Sequence, residues 1–539
     1  MNTNQESGKF KVKNAIILAA GFGSRFVPLT YETPKGLLKV FGIPMIERQI
    51  GQLLEKGVED IIIVVGDKKE EFDYLAGKYG VKLVYNPEYA SKNNLASLYC
   101  VRDSIDSSYI LASDHWIERN IFNEYEPQSW YSCLYFDGPT DEWCVAASST
   151  DKIESVAIGG EHAWALVGPA YFSPSFSALF REYLSEYYEN PVTGEHYWEQ
   201  ILIDRIESLP IYINRQSGNV TEFENLEELR AFDPSYEKTS NSRIMETIAK
   251  VFDVPEKEIW DIQPLNLGMT NRSFTFVYNW TRYIMRVPGE GANDLVDRQN
   301  EYSVYKVISP LKICDDVVYI DADSGYKISA FLEEARVCDP LNTSDVSACM
   351  KKLREFHNMD LKVDHAFDVF ERIDYYRRLW HDQNSVFPDY QTTEANIKRL
   401  REYIDSAPKK LSLSHIDSVS DNFLFVWRNG KEEIRMIDWE YAGMADPHMD
   451  IAMFAIYALY DREQTDALID CYFTEGCPDD IRLKIYAYVA VCGFLWSNWC
   501  EYKRHLGVEF GDYAIRQYLY AKEFYQIFTE SISERTNQK

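Results

Sequence analysis

Cysteine, surplus positive charge and long apolar runs are scarce in this chain, and each shortage argues against a class of protein. Its 10 cysteines form no Cys-x-x-Cys pair and lack the dense spacing of secreted scaffolds, which argues against structural zinc and favours reduced thiols in the cytoplasm. The formal net charge of −29 leaves no basic surplus for binding nucleic acid or anionic lipid. The long uncharged runs that begin at His162 and Ile485 are either broken by Gly and Pro or too short to cross a bilayer, so we expect no membrane insertion.

The remaining composition predicts a folded protein of more than one domain. The chain has 539 residues, too many for one ordinary core, and 46% of them are hydrophobic. No low-complexity tract interrupts it. We expect flexibility only at the ends, in residues 1–13, which lack the apolar segment of a signal peptide, and in residues 531–539.

Hydrophobic periodicity divides the chain into two different patterns. From 14 to 232, short apolar runs alternate with amphipathic stretches, which predicts a Rossmann-like α/β domain with a mixed, mostly parallel sheet. Residues 233–242 contain Pro and Ser and predict a linker. Strand-like runs in 243–336 and helical periodicity in 337–530 then predict a small sheet lobe followed by a large helical lobe, the α+β arrangement of protein kinases.

A glycine-rich stretch, LAAGFGSRFVPLTYETPKGLL, begins at Leu18 after the first apolar run. A dinucleotide fingerprint would need Gly where Phe26 stands, and no G-x-x-x-x-G-K-[ST] loop is present. Backbone N–H groups of such a turn, with Arg25 and Lys35 as nearby cations, suit a nucleoside triphosphate that is attacked at its α-phosphorus. An ordinary strand-to-helix turn is the alternative interpretation.

The second half contains the residue order of a phosphotransferase. His415-x-Asp417 is followed by Asn422, and Asp438 comes after an apolar strand 21 residues beyond Asp417. In protein-kinase-like enzymes this order brings a base, a metal-binding amide and a metal-binding carboxylate to one γ-phosphate. We therefore expect Asp417 to be the catalytic base and Asn422 and Asp438 to bind Mg²⁺, whereas His415 braces the loop.

Two segments upstream of this loop are candidates for binding the nucleotide. The backbone of NLGMTNRSF, at Gly268, Thr270 and Asn271, is expected to cover the phosphates. Arg286 stands where protein kinases have a strand lysine, and Glu301 is its expected ion-pair partner.

The first half resembles the sugar-nucleotide nucleotidyltransferases and is most similar to the bacterial CTP:phosphocholine cytidylyltransferases. The likeness extends from the opening stretch through SYILASDHW, DEWCVAA and YWEQILID. It implies that CTP is bound by the following residues: Leu18, Ala20, Gly21, Gly23, Ser24, Arg25 and Asn94. It also implies that Lys35 and Arg25 act on the phosphates, that Asp114 and Glu199 bind Mg²⁺, and that Trp143 contacts the trimethylammonium group.

Two departures from that family affect the expected metal ligands, and one assignment has an alternative. The family has Asp at the position of Glu199, so Asp204 is the alternative second ligand. It also has Asp-Ala-Asp where this chain has Ala112-Ser113-Asp114, so the outer carboxylate is missing here. Trp143 as a core residue is the alternative to its role in binding the amine.

The second half, from about Asn241 to Phe528, resembles choline and ethanolamine kinases through IDWEYAG and DPHMDIA as well as the catalytic loop. The resemblance implies ATP as the phosphate donor. It also implies a cage for a quaternary ammonium, made of Trp496, Trp499 and Tyr513 with the carboxylate of Glu440. The two tryptophans are three residues apart, on one helix face, and core packing is the alternative for them. Asp450 is expected to hold the catalytic loop in place.

Together the two resemblances imply a bifunctional enzyme that uses Mg²⁺. ATP and choline give phosphocholine, and CTP and phosphocholine then give CDP-choline and diphosphate. The alternatives are the same reactions on ethanolamine, phosphoethanolamine or 2-aminoethylphosphonate, a drug-modifying phosphotransferase, and a nonenzymatic sensor of choline or nucleotide. The expected partners are these small molecules, and the sequence leaves the oligomeric state open.

Overall fold

The computed structural model describes residues 5–6, 8–265, 271–289, 291–380, 384–428, 430–508 and 510–537. Its contacts divide the chain into two compact units, Met1–Pro264 and Leu265–Lys539. Within the described ranges, we find no helix that combines the length and the apolarity needed to cross a membrane.

The division between the units lies further along the chain than residues 233–242, where the sequence places a linker. Asp233 accepts a hydrogen bond from the backbone N–H of Phe41 at 2.6 Å, and the Tyr236 hydroxyl donates to the Lys39 carbonyl at 2.7 Å. These contacts attach the segment to the first unit. The following helix, Arg243–Phe252, also lies in the first unit rather than in a kinase lobe.

The first unit is built on a mixed sheet with a parallel centre. In spatial order its main strands are Ile153–Gly160, Thr140–Ala147, Ala163–Phe172, Ser108–Ala112, Asn14–Ala19, Ile61–Val65 and Lys82–Tyr85; Trp130–Phe136 pairs with Ala163–Phe172 and with Tyr212–Arg215. All five residues of Ile61–Val65 are buried, which explains its continuous β-branched sequence. The predicted α/β class is confirmed. The strands between 130 and 172 are antiparallel because short turns connect them in place of helices.

Helices cover the sheet of the first unit. They are Leu29–Glu32, Met45–Glu55, Asp73–Tyr79, Asn94–Cys100, Pro174–Glu189, Glu199–Arg205, Leu226–Phe232 and Arg243–Phe252. Short strands complete the unit: Gln5–Glu6, Lys9–Lys11, Lys39–Val40, Ile43–Pro44, His115–Ile117, Tyr125–Glu126 and Val220–Glu222. The strand Trp260–Leu265 spans the point of division.

The parallel strands bring two chemically important turns together. The glycine-rich stretch follows Asn14–Ala19, and Asp114 follows Ser108–Ala112, its parallel neighbour. The backbone N–H of Ser113 donates to the Leu18 carbonyl at 2.9 Å. Both turns therefore lie at the carboxyl edge of the sheet, where ligands of α/β proteins bind.

The second unit has an antiparallel sheet followed by mostly helical structure, as the sequence predicts. The sheet strands are Asn271–Tyr278, Thr281–Pro288, Lys327–Ala330 and Val317–Ile320, and smaller sheets contain Arg336–Val337, Phe423–Arg428, Lys431–Met436, Ser412–Ser414 and Gly443–Ala445. The helices are Ala292–Leu295, Arg298–Ile308, Thr343–His357, Val369–Leu379, Tyr390–Ser406, His448–Tyr457, Arg462–Tyr472, Asp479–His505 and Asp512–Asn537.

The helix Asp479–His505 forms the centre of the helical part. It is buried on all sides through most of its length, as its nearly continuous apolar sequence requires. At Gly493 a Cβ atom would lie 2.7 Å from the Gln517 carbonyl oxygen, so glycine allows the last helix to pack closely here.

Both ends of the chain contain regular structure in segments that the sequence predicts to be flexible. The strand Lys9–Lys11 pairs with Tyr125–Glu126, within the predicted flexible segment 1–13. The helix Asp512–Asn537 extends into the segment 531–539.

The burial of the central strands predicts how the first unit responds to a cavity. Ile63 is fully buried, so Ile63→Ala should lower the free energy of unfolding of this unit by about 2–5 kcal/mol. Ile158 is 67% exposed, and Ile158→Ala is the matched control with little expected change. Urea unfolding, with hydrogen exchange in peptides of the first unit as the readout, measures the free energy of unfolding of both variants. Equal effects of the two substitutions would contradict the described packing.

Candidate active sites

A cleft of about 740 Å³ opens at the carboxyl edge of the first sheet. It is lined by all the first-domain residues that the sequence predicts to bind nucleotide, metal or amine, apart from the alternative ligand Asp204: Leu18, Ala20, Gly21, Gly23, Ser24, Arg25, Lys35, Asn94, Asp114, Trp143 and Glu199. Asp204 instead accepts hydrogen bonds from the Tyr187 hydroxyl at 2.7 Å and the Gln200 amide at 2.9 Å.

The glycine-rich turn is held in a conformation that requires glycine. Gly23 has a φ of 59°, in the left-handed region, and a Cβ atom there would lie 2.8 Å from the Thr30 Cγ2 atom. The Thr30 hydroxyl donates to the Gly23 carbonyl at 2.9 Å. Arg25, in the following turn, is largely exposed and pairs with Glu224.

Lys35 lies between two carboxylates of the cleft. Its Nζ is 2.7 Å from Asp114 Oδ2 and 3.8 Å from Glu222 Oε1. Burial alone would raise the pKa of Asp114, but the Lys35 ammonium outweighs it and holds that pKa well below its usual range. Asp114 is therefore ionised and paired with the Lys35 ammonium.

Glu222 is a site residue that the sequence analysis missed. It lies on Val220–Glu222, which pairs with His115–Ile117, so that Glu222 is directly opposite His115. One ligand atom each from Asp114, His115 and Glu222 lie within 4.8 Å of one another. No local motif marks Glu222, because only this strand pairing brings it to Asp114.

Glu199 lies in the cleft but outside that three-residue group. Its carboxylate accepts hydrogen bonds from the Tyr131 hydroxyl at 3.2 Å and the Asn94 amide at 3.3 Å. Burial raises the pKa of Glu199 to about 7, against the effect of these donors. Such a carboxylate would be stabilised by a bound cation.

Aromatic side chains line the cleft beside Glu199. The Trp143 and Tyr197 ring centroids are 6.4 Å apart with the planes nearly perpendicular, at 85°. Trp143 is half-buried and faces the cleft, as the predicted role in binding an amine requires, although it also packs against the core. Tyr197 is 52% exposed and was not identified from the sequence.

The catalytic loop of the second unit brings Asp417, Asn422 and Asp438 together. The Asn422 amide donates to the Asp417 carbonyl at 2.8 Å and to its carboxylate at 3.3 Å. The backbone N–H of Ile437, next to Asp438, donates to the Asn422 carbonyl at 2.9 Å. Burial, together with the nearby charges of Asp438 and Glu440, raises the pKa of Asp417 well above its usual value. The Asn422 amide oxygen and the Asp438 carboxylate are the oxygen donors that Mg²⁺ prefers.

Asp450 holds this loop, as the sequence predicts. Its carboxylate accepts from the backbone N–H groups of His415 at 2.8 Å and Ile416 at 2.7 Å, and lies 2.9 Å from His357 Nε2. Burial lowers the pKa of His415 to about 4, and its Nε2 lies 2.9 Å from the Ile437 carbonyl oxygen. His415 is thus a neutral bracing residue.

The expected pair of Arg286 and Glu301 is present and buried. Arg286 Nη2 donates to Glu301 Oε2 at 2.9 Å, and a second hydrogen bond joins the two side chains. Burial opposes ionisation of Glu301, but the Arg286 guanidinium outweighs it and lowers the pKa of Glu301 to about 2. Two further predicted residues, Gly268 and Thr270, lie outside the described residues.

Glu440 has different neighbours from those that the sequence predicts. Its carboxylate accepts from the Asn271 amide at 2.8 Å and from Arg298 Nη1 at 3.1 Å. These contacts bring Glu440 to Asn271, one of the residues predicted to bind nucleotide, and its predicted role in the aromatic cage stays a prediction. The reason is tertiary: Arg298 begins the helix Arg298–Ile308 and meets Glu440, 142 positions later, only in the folded chain.

The predicted cage residues differ in their exposure. Trp499 is 1% exposed and packs between Trp496 and Phe510, which fits the core alternative. Trp496 donates its Nε1–H to Met453 Sδ at 3.1 Å, and its ring packs edge-on against Tyr441.

Tyr513 is only half-buried, and its ring lies near that of Tyr457, with centroids 6.4 Å apart. Burial, then the proximity of Cys500 and Asp417, raises the pKa of Tyr513. Tyr513 and Tyr457 therefore both lie near the Asp417 carboxylate. Tyr457 was not singled out from the sequence.

The two sites match two protein families. The nucleotidyl transferase family model matches residues 14–127, and the choline/ethanolamine kinase family model matches residues 262–478.

Curated relatives cover each half almost completely. The choline-phosphate cytidylyltransferase of Streptococcus pneumoniae is 35% identical over 220 residues, 41% of this chain and 96% of the relative. The 2-aminoethylphosphonate cytidylyltransferase of Lancefieldella rimae is 36% identical over 228 residues, 41% of this chain and 93% of the relative. The protein LicA of Haemophilus influenzae is 25% identical over 264 residues, 46% of this chain and 96% of the relative.

With the glycine-rich cleft in one unit and the Asp417 loop in the other, the chain is an enzyme of two kinds: its first half belongs to the nucleotidyl transferase family, and its second half carries a choline/ethanolamine kinase domain, which the family model matches over residues 262–478.

Proposed function

We propose that this enzyme phosphorylates choline with ATP and then couples the phosphocholine to CTP, which yields CDP-choline and diphosphate. One observation carries the proposal: a single cleft of the first unit is lined by groups suited to phosphate and by groups suited to a cationic amine. Lys35 and the glycine-rich turn are the first set, and Trp143, Tyr197 and Glu199 are the second. Phosphocholine carries the matching groups, a phosphate anion and a trimethylammonium cation, on one small molecule.

A divalent cation fits the carboxylates of the cleft. Asp114 and Glu222 supply the oxygen ligands typical of Mg²⁺, and their ligand atoms are close enough to share one ion. Bound Mg²⁺ would neutralise the phosphate charge that repels an attacking phosphate. We assign Glu222, rather than Glu199 or Asp204, as the second ligand. Lys35, which now neutralises these carboxylates, would then contact the α-phosphate as its negative charge increases.

Glu199 is better suited to the amine than to the metal. It lies outside the three-residue metal group and beside the aromatic side of the cleft. A quaternary ammonium has no hydrogen-bond donor, so a nearby carboxylate and ring faces are its suitable partners. We propose that Glu199 balances the charge of the trimethylammonium group.

The second unit carries the phosphorylation of choline. The choline hydroxyl oxygen attacks the γ-phosphorus, the bond from that phosphorus to the β-phosphate oxygen breaks, and the hydroxyl proton passes to Asp417. Asn422 and Asp438 would hold Mg²⁺, and Arg286 would contact the phosphates of ATP. Tyr513 and Trp496 are the proposed contacts of the ammonium group, with Tyr457 beside them.

A second candidate amine is 2-aminoethylphosphonate, since a cytidylyltransferase for it is as similar to the first half as the choline-phosphate enzyme is. The direct test is an incubation with ATP, CTP, Mg²⁺ and choline, and a parallel one with CTP, Mg²⁺ and 2-aminoethylphosphonate, each followed by mass spectrometry. CDP-choline as product supports the proposal. Binding without turnover would make the chain a sensor, and turnover of only the phosphonate would favour the second candidate.

The separate motif sets predict separable activities. Asp417→Ala should lower choline phosphorylation by about 10²–10⁴-fold, because the alcohol proton loses its acceptor, while CDP-choline formation from added phosphocholine continues. Asp114→Ala should have the reverse effect. Coupled assays of each half-reaction measure both. Loss of both activities in a folded single variant would show that the sites are not independent.

The aromatic end of the cleft predicts a specific loss of affinity for phosphocholine. Trp143→Leu should raise KM for phosphocholine about 5- to 30-fold, the equivalent of a cation–π contact of about 1–2 kcal/mol, with KM for CTP unchanged. Trp164→Leu is the matched control, because Trp164 lies on the same sheet, with Arg215 over its ring at 4.6 Å, and does not line the cleft. Equal effects of the two substitutions would remove Trp143 from the amine site.

The raised pKa of Glu199 predicts a pH dependence of stability. A carboxyl group with a pKa near 7 when folded and about 4.3 when unfolded destabilises the folded state increasingly from pH 4 to pH 7. Glu199→Gln lacks this penalty, so its melting temperature should equal that of the wild type near pH 4 and exceed it above pH 7. The exposed Glu207→Gln is the control. Added phosphocholine should stabilise the wild type more than Glu199→Gln at pH 8, and the opposite result would contradict the assigned role.

A further inference from the structure

Arg298 is a buried cation to which the sequence analysis assigned no role. It is 7% exposed and begins the helix that also carries Glu301. Its Nη1 donates to Glu301 Oε2 at 2.9 Å and to Glu440 Oε2 at 3.1 Å, and its Nη2 donates to Asn271 Oδ1 at 3.0 Å. One guanidinium thus joins three parts of the second unit.

These contacts close a ring of alternating charge. Arg286 is bound to Glu301, Glu301 to Arg298 and Arg298 to Glu440, and Arg286 Nη1 lies 4.0 Å from Glu440 Oε2. Two arginines and two glutamates balance one another in a buried place. Because an unpaired buried charge is strongly unfavourable, each member holds the others in position.

The ring is attached to the backbone that carries Asp438. Glu440 is two residues beyond Asp438, whose φ of 64° lies in the left-handed region. A non-glycine residue keeps such a conformation only where its surroundings hold it. The next two residues hold the backbone at Asp438. Trp439 is fully buried, and its Nε1–H donates to the Met436 carbonyl at 2.8 Å; Glu440 is held by the ring.

We infer that Arg298 is a positioning residue for the phosphotransfer reaction, which holds Asp438 in the place where it binds the metal of ATP. The inference rests on the kinase half of the proposed function. Arg298 acts through Glu440 and Glu301, and Arg286 remains the arginine that contacts phosphate. The fork of a guanidinium is required, since a lysine ammonium in its place would not reach all three acceptors in their present geometry.

Arg298→Lys tests the inference because it keeps the charge. We expect kcat for choline phosphorylation to fall on the order of 10²-fold through misplacement of Asp438, with KM for choline unchanged. The affinity for ATP, measured by calorimetry, should fall with Mg²⁺ present and change little with EDTA. Formation of CDP-choline from added phosphocholine should continue and reports that the first unit is folded, while the retained ATP affinity with EDTA reports that the second unit is folded.

Two further variants complete the experiment. Lys306→Gln removes an exposed positive charge from the same helix and should leave every measurement within about twofold, as for a surface substitution. Glu440→Gln should reproduce the Mg²⁺-dependent loss, and the double variant with Arg298→Lys should be no worse than the more severe single variant.

The outcomes separate this inference from the proposed function. If the wild type forms no phosphocholine, the proposed kinase function fails, while the two ATP affinities still decide the role of Arg298. Equal losses of ATP affinity with Mg²⁺ and with EDTA, additive effects of the two substitutions, or an unchanged kcat in Arg298→Lys would each overturn the inference.

Discussion

Carboxylates gathered in partly buried clefts repel one another, and both active sites depend on how that repulsion is balanced. In the first unit Lys35 lies between Asp114 and Glu222. In the second unit, burial raises the pKa of Asp438 against the opposing charges of Lys327 and Arg286, while Asp417 and Glu440 lie nearby. A divalent cation relieves such repulsion more strongly than a single ammonium does. Clustered carboxylates, which are unfavourable in the protein without ligands, would therefore favour the binding of a nucleotide together with its divalent metal ion.

The two units use different means to prepare their carboxylates. In the nucleotidyl transferase half, the Lys35 ammonium pairs directly with Asp114 and Glu222, the proposed metal ligands, so metal binding there would be linked to the release of Lys35. In the kinase half, two arginines are fixed by glutamates in a closed ring, and no comparable direct contact of Asp438 with an arginine is required. Arginine suits this second role because its planar group makes several hydrogen bonds at once. Burial and the charges of Asp438 and Glu440 raise the pKa of Asp417, so a bound cation would favour the ionised form that the proposed base requires.

The proposed recognition of the amine requires rings that are accessible as well as correctly spaced. Trp143 and Tyr197 line the cleft of the first unit with Glu199 beside them. In the second unit Trp499 lies in the interior, whereas the half-buried Tyr513 is near Asp417. Helical spacing places Trp496 and Trp499 on one face, but the last helix and Phe510 determine how much of that face is covered.

The sequence by itself determined the order of the elements and every residue whose role depends on its immediate neighbours along the chain. The glycine-rich turn, Asp114, His415 and Asp438 fall into this group because each comes soon after the end of a strand, and Lys35 and Asn422 belong to the same local sequence patterns. Only the tertiary structure decided the residues brought in from elsewhere. Glu222 meets Asp114 through strand pairing, and Arg298 meets Glu440 across 142 positions. Residues 233–242, which the sequence places as a linker, pack on the first unit, and the units divide after Pro264. Such pairings cannot be predicted from local sequence motifs, because hydrogen bonds and packing contacts between distant segments form only when the chain folds.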